Sequence, residues 1–242
     1  MATRTAKPSE PAAPPALAIP RLENGDRLTR AEFERRYDAM PGLKKAELID
    51  GVVYMPSPVR IRHHSSPHFN LVGWLSIYRL ATPGVLGGDN GSIRLDLESM
   101  PQPDAFLMVL PSHGGQADIS EDDYGERGPE LIAEVAASSV SIDLNSKFHV
   151  YRRNGVQEYI VWRVEDQAID WFILREGRYE RLALDAANLY RSEVFPGLWL
   201  DPLALIRDDP TRLLAVAQEG LATPEHAAFV ARLQARAAAG AG

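Results

Sequence analysis

Two acidic residues in the middle of the sequence lie in surroundings that suggest a catalytic centre. Asp104 follows Gln102-Pro103 and opens an almost continuously apolar segment, and Glu134 lies inside the apolar segment 131–137. A lone carboxylate buried among apolar side chains costs several kcal/mol unless it is paired, protonated or bound to a metal ion. A turn cap is the simpler interpretation of Asp104 alone, and a salt bridge with an arginine is the structural alternative for Glu134.

A lysine follows these acids at a spacing that could complete a hydrolytic site. Lys147 lies thirteen residues after Glu134, in a segment where Ser141 or Asp143 could cap a helix that runs to Arg153. That helix must pack back over the sheet, so its first turns should approach the carboxyl end of the strand that carries Glu134. The alternative for a lone lysine on a helix is a solvated surface position.

Together, the two acids and the lysine are the parts needed for phosphodiester hydrolysis. Two carboxylates on adjacent buried strands can chelate Mg²⁺, which would polarise a phosphodiester oxygen and lower the pKa of a bound water. A nearby lysine could orient that water or offset the negative charge that develops on the phosphoryl group. The same oxygen ligands suit Mn²⁺, so the residues do not choose between the two metals.

The elements that must position these residues intermix helices and strands. Thr29-Arg-Ala-Glu32 predicts a capped helix to about Asp38, Asp50-Gly51 predicts a hairpin turn, and a further helix should begin near Ser66-Pro67. The strand around Glu134 crosses through a helix to the strand at Tyr159, which implies a parallel pair in a mixed sheet and hence an α/β fold. Strands are expected at 84–87, 92–97, 104–110, 130–137, 156–164, 168–175 and 179–184, with a loop at 111–128 and a turn at Gly177-Arg178.

Segment boundaries indicate the domains of the chain, and composition indicates which classes of protein it can belong to. We expect a disordered Pro/Ala-rich tail over 1–25, one domain over 26–206, and a C-terminal helical extension over 207–242 whose last helix begins at Thr223-Pro224. The sequence has no cysteine, which excludes disulfides and thiolate metal sites and is compatible with a cytoplasmic protein. No apolar segment is long enough to span a membrane. The formal net charge of −7 counts against a protein that coats nucleic acid, but not against a nuclease.

Basic residues beside the second helix could contact a phosphate backbone. Arg62 and His68 are the candidates for this edge, and a solvated loop is the alternative; His68 could instead cap or hydrogen-bond an active-site acid. Arg152 follows Lys147 on the same helix and is a third candidate, while Tyr151 either lies beside the active site or belongs to the core. The whole cluster comprises Arg60, Arg62, His63, His64 and His68, and its adjacent histidines are poorly spaced for zinc.

Several of these segments resemble the Uma-two family of bacterial endonucleases, which belongs to the PD-(D/E)XK or restriction-endonuclease-like superfamily. The resemblance covers about residues 28–206. Its segments are Glu47-Leu-Ile-Asp-Gly51, Pro56-Ser-Pro58 followed by His68, Pro103-Asp104, Pro129-Glu-Leu-Ile-Ala-Glu-Val135 followed by Ser138, Lys147 and Tyr151, Gly155-Val-Gln-Glu-Tyr159, and Phe195-Pro-Gly-Leu-Trp-Leu200.

The resemblance implies a restriction-endonuclease-like sheet core and metal-dependent cleavage of DNA. It implies Asp104 and Glu134 as metal ligands, Glu47 as a third acid and Lys147 as the catalytic lysine. The superfamily pattern places this lysine two residues after the glutamate, where this sequence has Ala136. In this family the lysine is expected on the following helix, which Lys147 fits.

The sequence therefore favours a Mg²⁺- or Mn²⁺-dependent endonuclease that acts on DNA. The alternative is a catalytically silent domain that serves binding or oligomerisation, which the negative charge and the helical extension would suit. A homodimer is expected, because many enzymes of this superfamily cut two strands with two subunits. Its contact could be an apolar stripe on the last helix, which could equally pack on its own domain: Ala227, Ala228, Val230, Ala231 and Leu233.

Overall fold

The structure of the chain is a computed structural model that describes residues 18–55 and 60–240. Of the tail expected over 1–25, residues 1–17 lie outside the described residues. The described remainder is not a free tail, because Leu22 is buried in a small N-terminal hydrophobic core. The folded part of the chain therefore begins before residue 26, where the sequence placed the start of the domain.

Helices and strands follow one another along the chain largely where the sequence predicts them. The first half contains α1 (Arg30–Asp38), β1 (Glu47–Ile49), β2 (Val52–Tyr54), a π-helical turn (Ile61–Ser65), α2 (Ser66–Ala81), β3 (Val85–Gly88), β4 (Ile93–Arg94), β5 (Ala105–Val109), a short 3-10 turn (Pro111–His113), β6 (Asp118–Ile119) and β7 (Gly125–Glu126). The second half contains β8 (Leu131–Ala136), a π-helical turn (Ile142–Lys147), α3 (Phe148–Arg153), β9 (Glu158–Arg163), β10 (Ala168–Arg175), β11 (Arg178–Arg181), β12 (Tyr190–Arg191), β13 (Trp199–Leu200), α4 (Pro202–Ile206), α5 (Pro210–Leu221) and α6 (Pro224–Gly240).

A six-stranded mixed sheet forms the centre of the protein, in the order β11-β10-β9-β8-β5-β3. β8 and β9 are parallel, with Glu134 opposite Val161, and the other four neighbouring pairs are antiparallel. All six residues of β8 are buried, as expected for a strand that is covered on both faces. This confirms the predicted α/β fold and its parallel connection through a helix.

The two faces of the sheet pack against different helices. α2 and the C-terminal helices cover one face, where Trp74 meets Trp171 edge-on at 5.9 Å between ring centroids. α3 covers the other face with Val150 and Tyr151. Successive residues of a strand point to opposite faces. The Glu134 side chain points to the face that α3 covers, and the apolar residues before and after it on the strand point to the opposite face.

Four sequence predictions about the strands and their connections need correction. The strand expected at 92–97 is only two residues long, and the supposed loop at 111–128 contains β6 and β7, which form a small separate sheet with β4. The turn before β11 centres on Glu176 and Gly177, both with positive φ, rather than on Gly177-Arg178. Neither Ser141 nor Asp143 caps the helix that leads to α3, because Asp143 turns inward instead.

The C-terminal helices share the hydrophobic core of the sheet. Leu213 of α5 and Phe229 and Leu233 of α6 are buried in that core, whereas Ala227 and Ala228 are exposed. The apolar stripe predicted on the last helix is thus divided between the domain core and the surface. None of the helices within residues 18–55 and 60–240 has the length and apolar character that a membrane span requires.

A buried acid joins the sheet to the segment that precedes β13. Glu158, at the start of β9, accepts hydrogen bonds from the Ser192 hydroxyl at 2.6 Å and from the main-chain N–H of Glu193 at 2.8 Å. Burial raises the pKa of Glu158 to about 7, even though these donors favour the charged form. The folded protein therefore holds the proton of Glu158 more tightly than the unfolded chain does.

Glu158→Gln should reduce the loss of stability that the protein shows as pH rises from about 4.5 to 7. In this window the unfolded chain ionises Glu158 while the folded state keeps it protonated, so the wild type loses up to about 3 kcal/mol from this group. The free energy of unfolding, measured with urea at pH 4.5 and pH 7.5, should fall less in the variant. Glu121→Gln, at an exposed position, should follow the wild type, and parallel curves for all three proteins would contradict the expectation.

Candidate active site

The end of β8 extends past the end of β5. The backbone N–H and C=O groups in this part of β8 therefore need side chains as hydrogen-bond partners. β5 pairs with β8 as far as Ala105 opposite Ala133. Two residues further on, the same register would place Pro103 opposite Val135, and proline has no N–H to donate. Instead, the Asp104 carboxylate accepts the Val135 N–H at 2.9 Å, and the His64 ring contacts the Val135 carbonyl at 3.1 Å.

Asp104 and Glu134 are tied to each other by a second backbone contact. The Asp104 N–H donates to Oε2 of Glu134 at 3.3 Å, while Oδ2 of Asp104 accepts the N–H of the residue after Glu134. Both carboxylates are buried, with 5% and 3% of their surface exposed. The two acids lie together, as the sequence predicts, although Asp104 immediately precedes β5 instead of lying within it.

Lys147 lies between two of the predicted acids. Its ammonium is 2.9 Å from Oε1 of Glu134 and 2.9 Å from Oε1 of Glu47. Glu47 sits on β1, and its Oε1 also accepts the Gln102 N–H at 2.8 Å. The N-terminal hairpin therefore delivers the third acid to the site, and all four predicted core residues are brought together.

One helical face carries three polar groups that point at the acids. Asp143, Lys147 and Tyr151 recur every four residues, so they line one side of the π-helical turn and α3. The Tyr151 hydroxyl donates to Oε1 of Glu134 at 2.8 Å. Asp143 is 3.7 Å from the Lys147 ammonium and accepts a hydrogen bond from the Ser139 hydroxyl at 2.6 Å.

Negative charge outweighs positive charge inside this cluster. Burial raises the pKa of Glu134 to about 8, and the neighbouring acids Asp104, Asp143 and Glu47 add to the rise while Lys147 opposes it. Burial also raises the pKa of Asp143. For Lys147, burial alone would lower the pKa, but the surrounding carboxylates raise it well above its ordinary value. Lys147 is therefore a fixed cation, and it does not neutralise all the acids around it.

The rim of the cluster is basic on the side of α2. His64 Nε2 is 3.7 Å and Lys45 Nζ is 3.6 Å from Oδ1 of Asp104, and His68 Nε2 donates to the Asp104 carbonyl at 2.8 Å. His68 thus contacts the backbone of Asp104 rather than its carboxylate. Arg62 is exposed on the turn that leads into α2.

Arg152, a predicted site residue, is turned away from the acids by the fold. Its guanidinium donates to the Gly177 carbonyl in the β10–β11 hairpin at 2.7 Å. This hairpin lies near the end of the sheet where Leu131 pairs with Glu158. Glu134, which pairs with Val161, lies three residues further along β8, away from the hairpin. The geometry therefore gives Arg152 a structural contact at the other end of the sheet.

Three residues of the site were missed or only partly recognised in the sequence. The sequence indicates Asp143 only as a helix cap, although its spacing to Lys147 and Tyr151 places the three residues on one helical face. The sequence places His64 in a basic cluster and indicates no partner for it. Nothing in the sequence indicates Lys45 as a site residue, because it lies in a loop before β1 and approaches Asp104 only in the folded protein.

The donor atoms of the cluster suit a hard divalent cation. Glu47, Asp104 and Glu134 offer carboxylate oxygens, which Mg²⁺ and Mn²⁺ prefer, and Oδ1 of Asp104 has no hydrogen bond from any described residue. Across residues 18–55 and 60–240, no group of three or more His, Asp or Glu side chains is already arranged around a metal position. The fit of a divalent cation to this cluster thus rests on the chemistry of the donor atoms and on the negative charge around Glu134 that Lys147 does not balance.

Comparison with known proteins gives a family match over most of the chain. Residues 30–204 match the model of the Uma2 family, described as "Putative restriction endonuclease". Among solved structures, the chain is similar to a "putative nuclease belonging to DUF820" from Anabaena variabilis ATCC 29413, with 14% identity, coverage of 74% of this chain and 99% of that chain, and a TM-score of 0.49. No curated protein matches the sequence.

Tyr151→Phe should destabilise the protein by about 1–3 kcal/mol, because it removes a buried hydrogen bond to the carboxyl group of Glu134. Burial raises the pKa of Tyr151 well above its ordinary value, so the wild-type hydroxyl remains a donor. Urea denaturation at pH 7.5 measures the change. Tyr37→Phe is the matched control, because the Tyr37 hydroxyl contacts the Lys44 carbonyl at 3.4 Å near the surface and its loss should cost less than about 0.5 kcal/mol. Equal effects of the two substitutions would contradict the expectation.

Proposed function

Because the chain belongs to the Uma2 family of restriction-endonuclease-like proteins, we propose that it is a divalent-metal-dependent endonuclease that hydrolyses phosphodiester bonds in DNA. The observation that carries this proposal is that Glu47 and Glu134 both contact one buried lysine, Lys147, while the Asp104 N–H is hydrogen-bonded to Glu134. The family match supports a nuclease. The metal and the DNA substrate are our inference from the donor set and from the charges around it.

Asp104, Glu134 and Glu47 are the proposed ligands of Mg²⁺ or Mn²⁺. When bound, such an ion polarises a phosphoryl oxygen and lowers the pKa of a coordinated water. The chain prepares these ligands before any ion arrives: Val135 N–H holds Asp104, and the Tyr151 hydroxyl holds Glu134. Carboxylates fixed in this way need little rearrangement to act together.

Lys147 supplies a permanent positive charge to the reaction. In hydrolysis a water oxygen bonds to phosphorus while the bond to the leaving oxygen breaks, and negative charge develops on the phosphoryl oxygens. The raised pKa of Lys147 keeps its ammonium protonated, so it acts as a donor and an electrostatic stabiliser rather than as a base. Asp143 is a positioning residue that faces the same ammonium from within the helix.

The basic rim of the site suits the phosphate backbone of DNA. Arg60 and Arg62 are exposed just before α2, within four residues of His64, whose ring faces Asp104. A net charge of −7 disfavours general binding to nucleic acid, so we expect affinity to depend on this local edge.

A homodimer and a cytoplasmic location complete the proposal. Cleavage of both strands of a duplex needs two cuts, which the two active sites of a dimer can make, and α6 leaves Ala227, Ala228 and Ala231 exposed while Leu233 of the same stripe packs in the core. A DNA substrate and the lack of cysteine both suit a reducing cytoplasm. The competing function is a silent binding or oligomerisation module, which the next experiment separates from an enzyme.

Asp104→Asn should abolish DNA cleavage while leaving the fold intact. The amide can still accept the Val135 N–H through its oxygen but loses the charge that would hold the metal. Supercoiled plasmid and single-stranded DNA should be cut by the wild type with Mg²⁺ or Mn²⁺ and not with EDTA, and the variant should lose at least about 100-fold in rate. Glu121→Gln, a surface acid, should cut normally.

The same assay can overturn the proposal. Cutting that survives in Asp104→Asn would show that the site lies elsewhere. If the wild type neither cuts any of these DNA substrates nor binds Mn²⁺ by calorimetry, the silent-module function takes its place.

Arg62→Ala should weaken duplex binding in a salt-dependent way. Each phosphate contact contributes about −0.9 to the slope of log K against log salt concentration, so the slope should become shallower by about 1. Fluorescence anisotropy with labelled duplex can measure this in an Asp104→Asn background, which prevents cutting. Arg152→Ala should leave the slope unchanged, because Arg152 is bound to the Gly177 carbonyl; a change of slope there and not at Arg62 would reverse the assignment.

A further inference from the structure

His64 is held in one orientation by the backbone of β8. Its Nδ1 lies 3.1 Å from the Val135 carbonyl, and a carbonyl oxygen can only accept a hydrogen bond. Nδ1 must therefore carry the proton, and in the neutral ring Nε2 carries a lone pair. Metal-binding histidines are usually oriented in this way, by donation from the other ring nitrogen to a carbonyl or a carboxylate.

The free nitrogen of His64 faces the free oxygen of Asp104. Nε2 lies 3.7 Å from Oδ1 of Asp104, which is too long for a hydrogen bond. In the neutral ring both atoms present lone pairs, and two lone pairs that face each other are stabilised by a cation between them. Two metal bonds of about 2.1 Å at right angles separate their donor atoms by about 3 Å, so a shift of less than about 1 Å would let both atoms bind one ion.

Val135 positions both groups at once, because its N–H holds Asp104 and its carbonyl holds His64. His68 supports the pair, since its ring stacks on His64 at 5.8 Å between centroids and its Nε2 donates to the Asp104 carbonyl. Lys45 also approaches Oδ1 of Asp104, at 3.6 Å. Its ammonium bonds to Asn90 near the surface, so it can move aside when a cation binds.

We propose that His64 is an additional ligand of the divalent cation held by Asp104 and that it makes the site prefer Mn²⁺ over Mg²⁺. The inference rests on the proposed function, because it assumes the metal site described there. Mg²⁺ is bound almost entirely by oxygen, whereas a mixed set of imidazole and carboxylate favours a transition-metal ion. His64 thus gives the site a chemical means of choosing between two ions that its carboxylates alone would not distinguish.

Pulsed electron paramagnetic resonance of the Mn²⁺-loaded full chain tests the proposal directly. The wild type should show hyperfine coupling to a ligating ¹⁴N nucleus, and His64→Gln should lack it. His63→Gln is the matched control, because His63 contacts Glu165 at the surface instead, and it should keep the coupling. In calorimetry, His64→Gln should bind Mn²⁺ at least about tenfold more weakly, since even the loss of a second-shell partner costs about 10–100-fold, while Mg²⁺ affinity should change less.

The other outcomes overturn the inference in distinguishable ways. Mn²⁺ that binds to the wild type without ¹⁴N coupling would show an all-oxygen site, with a protonated His64 paired to Asp104, and would leave the metal-dependent nuclease standing. Coupling that persists in His64→Gln would assign the nitrogen to another histidine. A wild type that binds no Mn²⁺ would remove both this inference and the metal site on which it rests.

Discussion

The contact between the Lys147 ammonium and the carboxylates around it is the interaction on which the rest of the site depends. Lys147 is the one buried lysine or arginine among the residues that the structure describes, and it bridges Glu47 and Glu134 at 2.9 Å each. Removing one partner of such a buried pair typically costs about 3–5 kcal/mol, because the other charge is left without compensation. The hairpin that carries Glu47, the strand that carries Glu134 and the helix that carries Lys147 are therefore held together electrostatically as well as by packing.

One ammonium cannot balance the acids that the fold places around it. Burial and the neighbouring acids raise the pKa of Glu134 to about 8, so the fold favours its protonated form relative to a solvent-exposed glutamate. A divalent cation near Asp104 and Glu134 would oppose that rise by favouring the charged carboxylate. The same imbalance that costs stability in the isolated chain is thus what gives the proposed metal site its affinity.

The sequence predicts the sheet core, and it also points to four residues that the fold brings together, because both predictions depend on local signals. A carboxylate within a strand-forming apolar run is visible without a structure, and so is a helix after that strand. The small β4-β7-β6 sheet was not predictable, because its strands have two residues each and carry no periodicity. The contacts of Lys45 and His64 with Asp104 were not predictable either, since they join residues 59 and 40 positions apart in the sequence. Arg152 shows the opposite error, because helical spacing alone could not reveal the hairpin carbonyl that binds it.

The buried carboxylates of the proposed site differ from the other buried carboxylates of this protein in the groups that surround them. Glu130 accepts the main-chain N–H groups of Val109 and Gln116, and Asp170 accepts hydrogen bonds from Arg163 and Arg181. Glu158 likewise has only donors as hydrogen-bond partners.

Glu134 differs, because besides its donors it shares its surroundings with Asp104, Asp143 and Glu47. Evolution toward stability alone would replace one of these acids with a neutral side chain, since like charges in a low-dielectric interior repel strongly. A ligand that carries the missing positive charge best explains why these acids occur together. Burial alone would not have identified them, because Glu130 and Asp170 are buried as well.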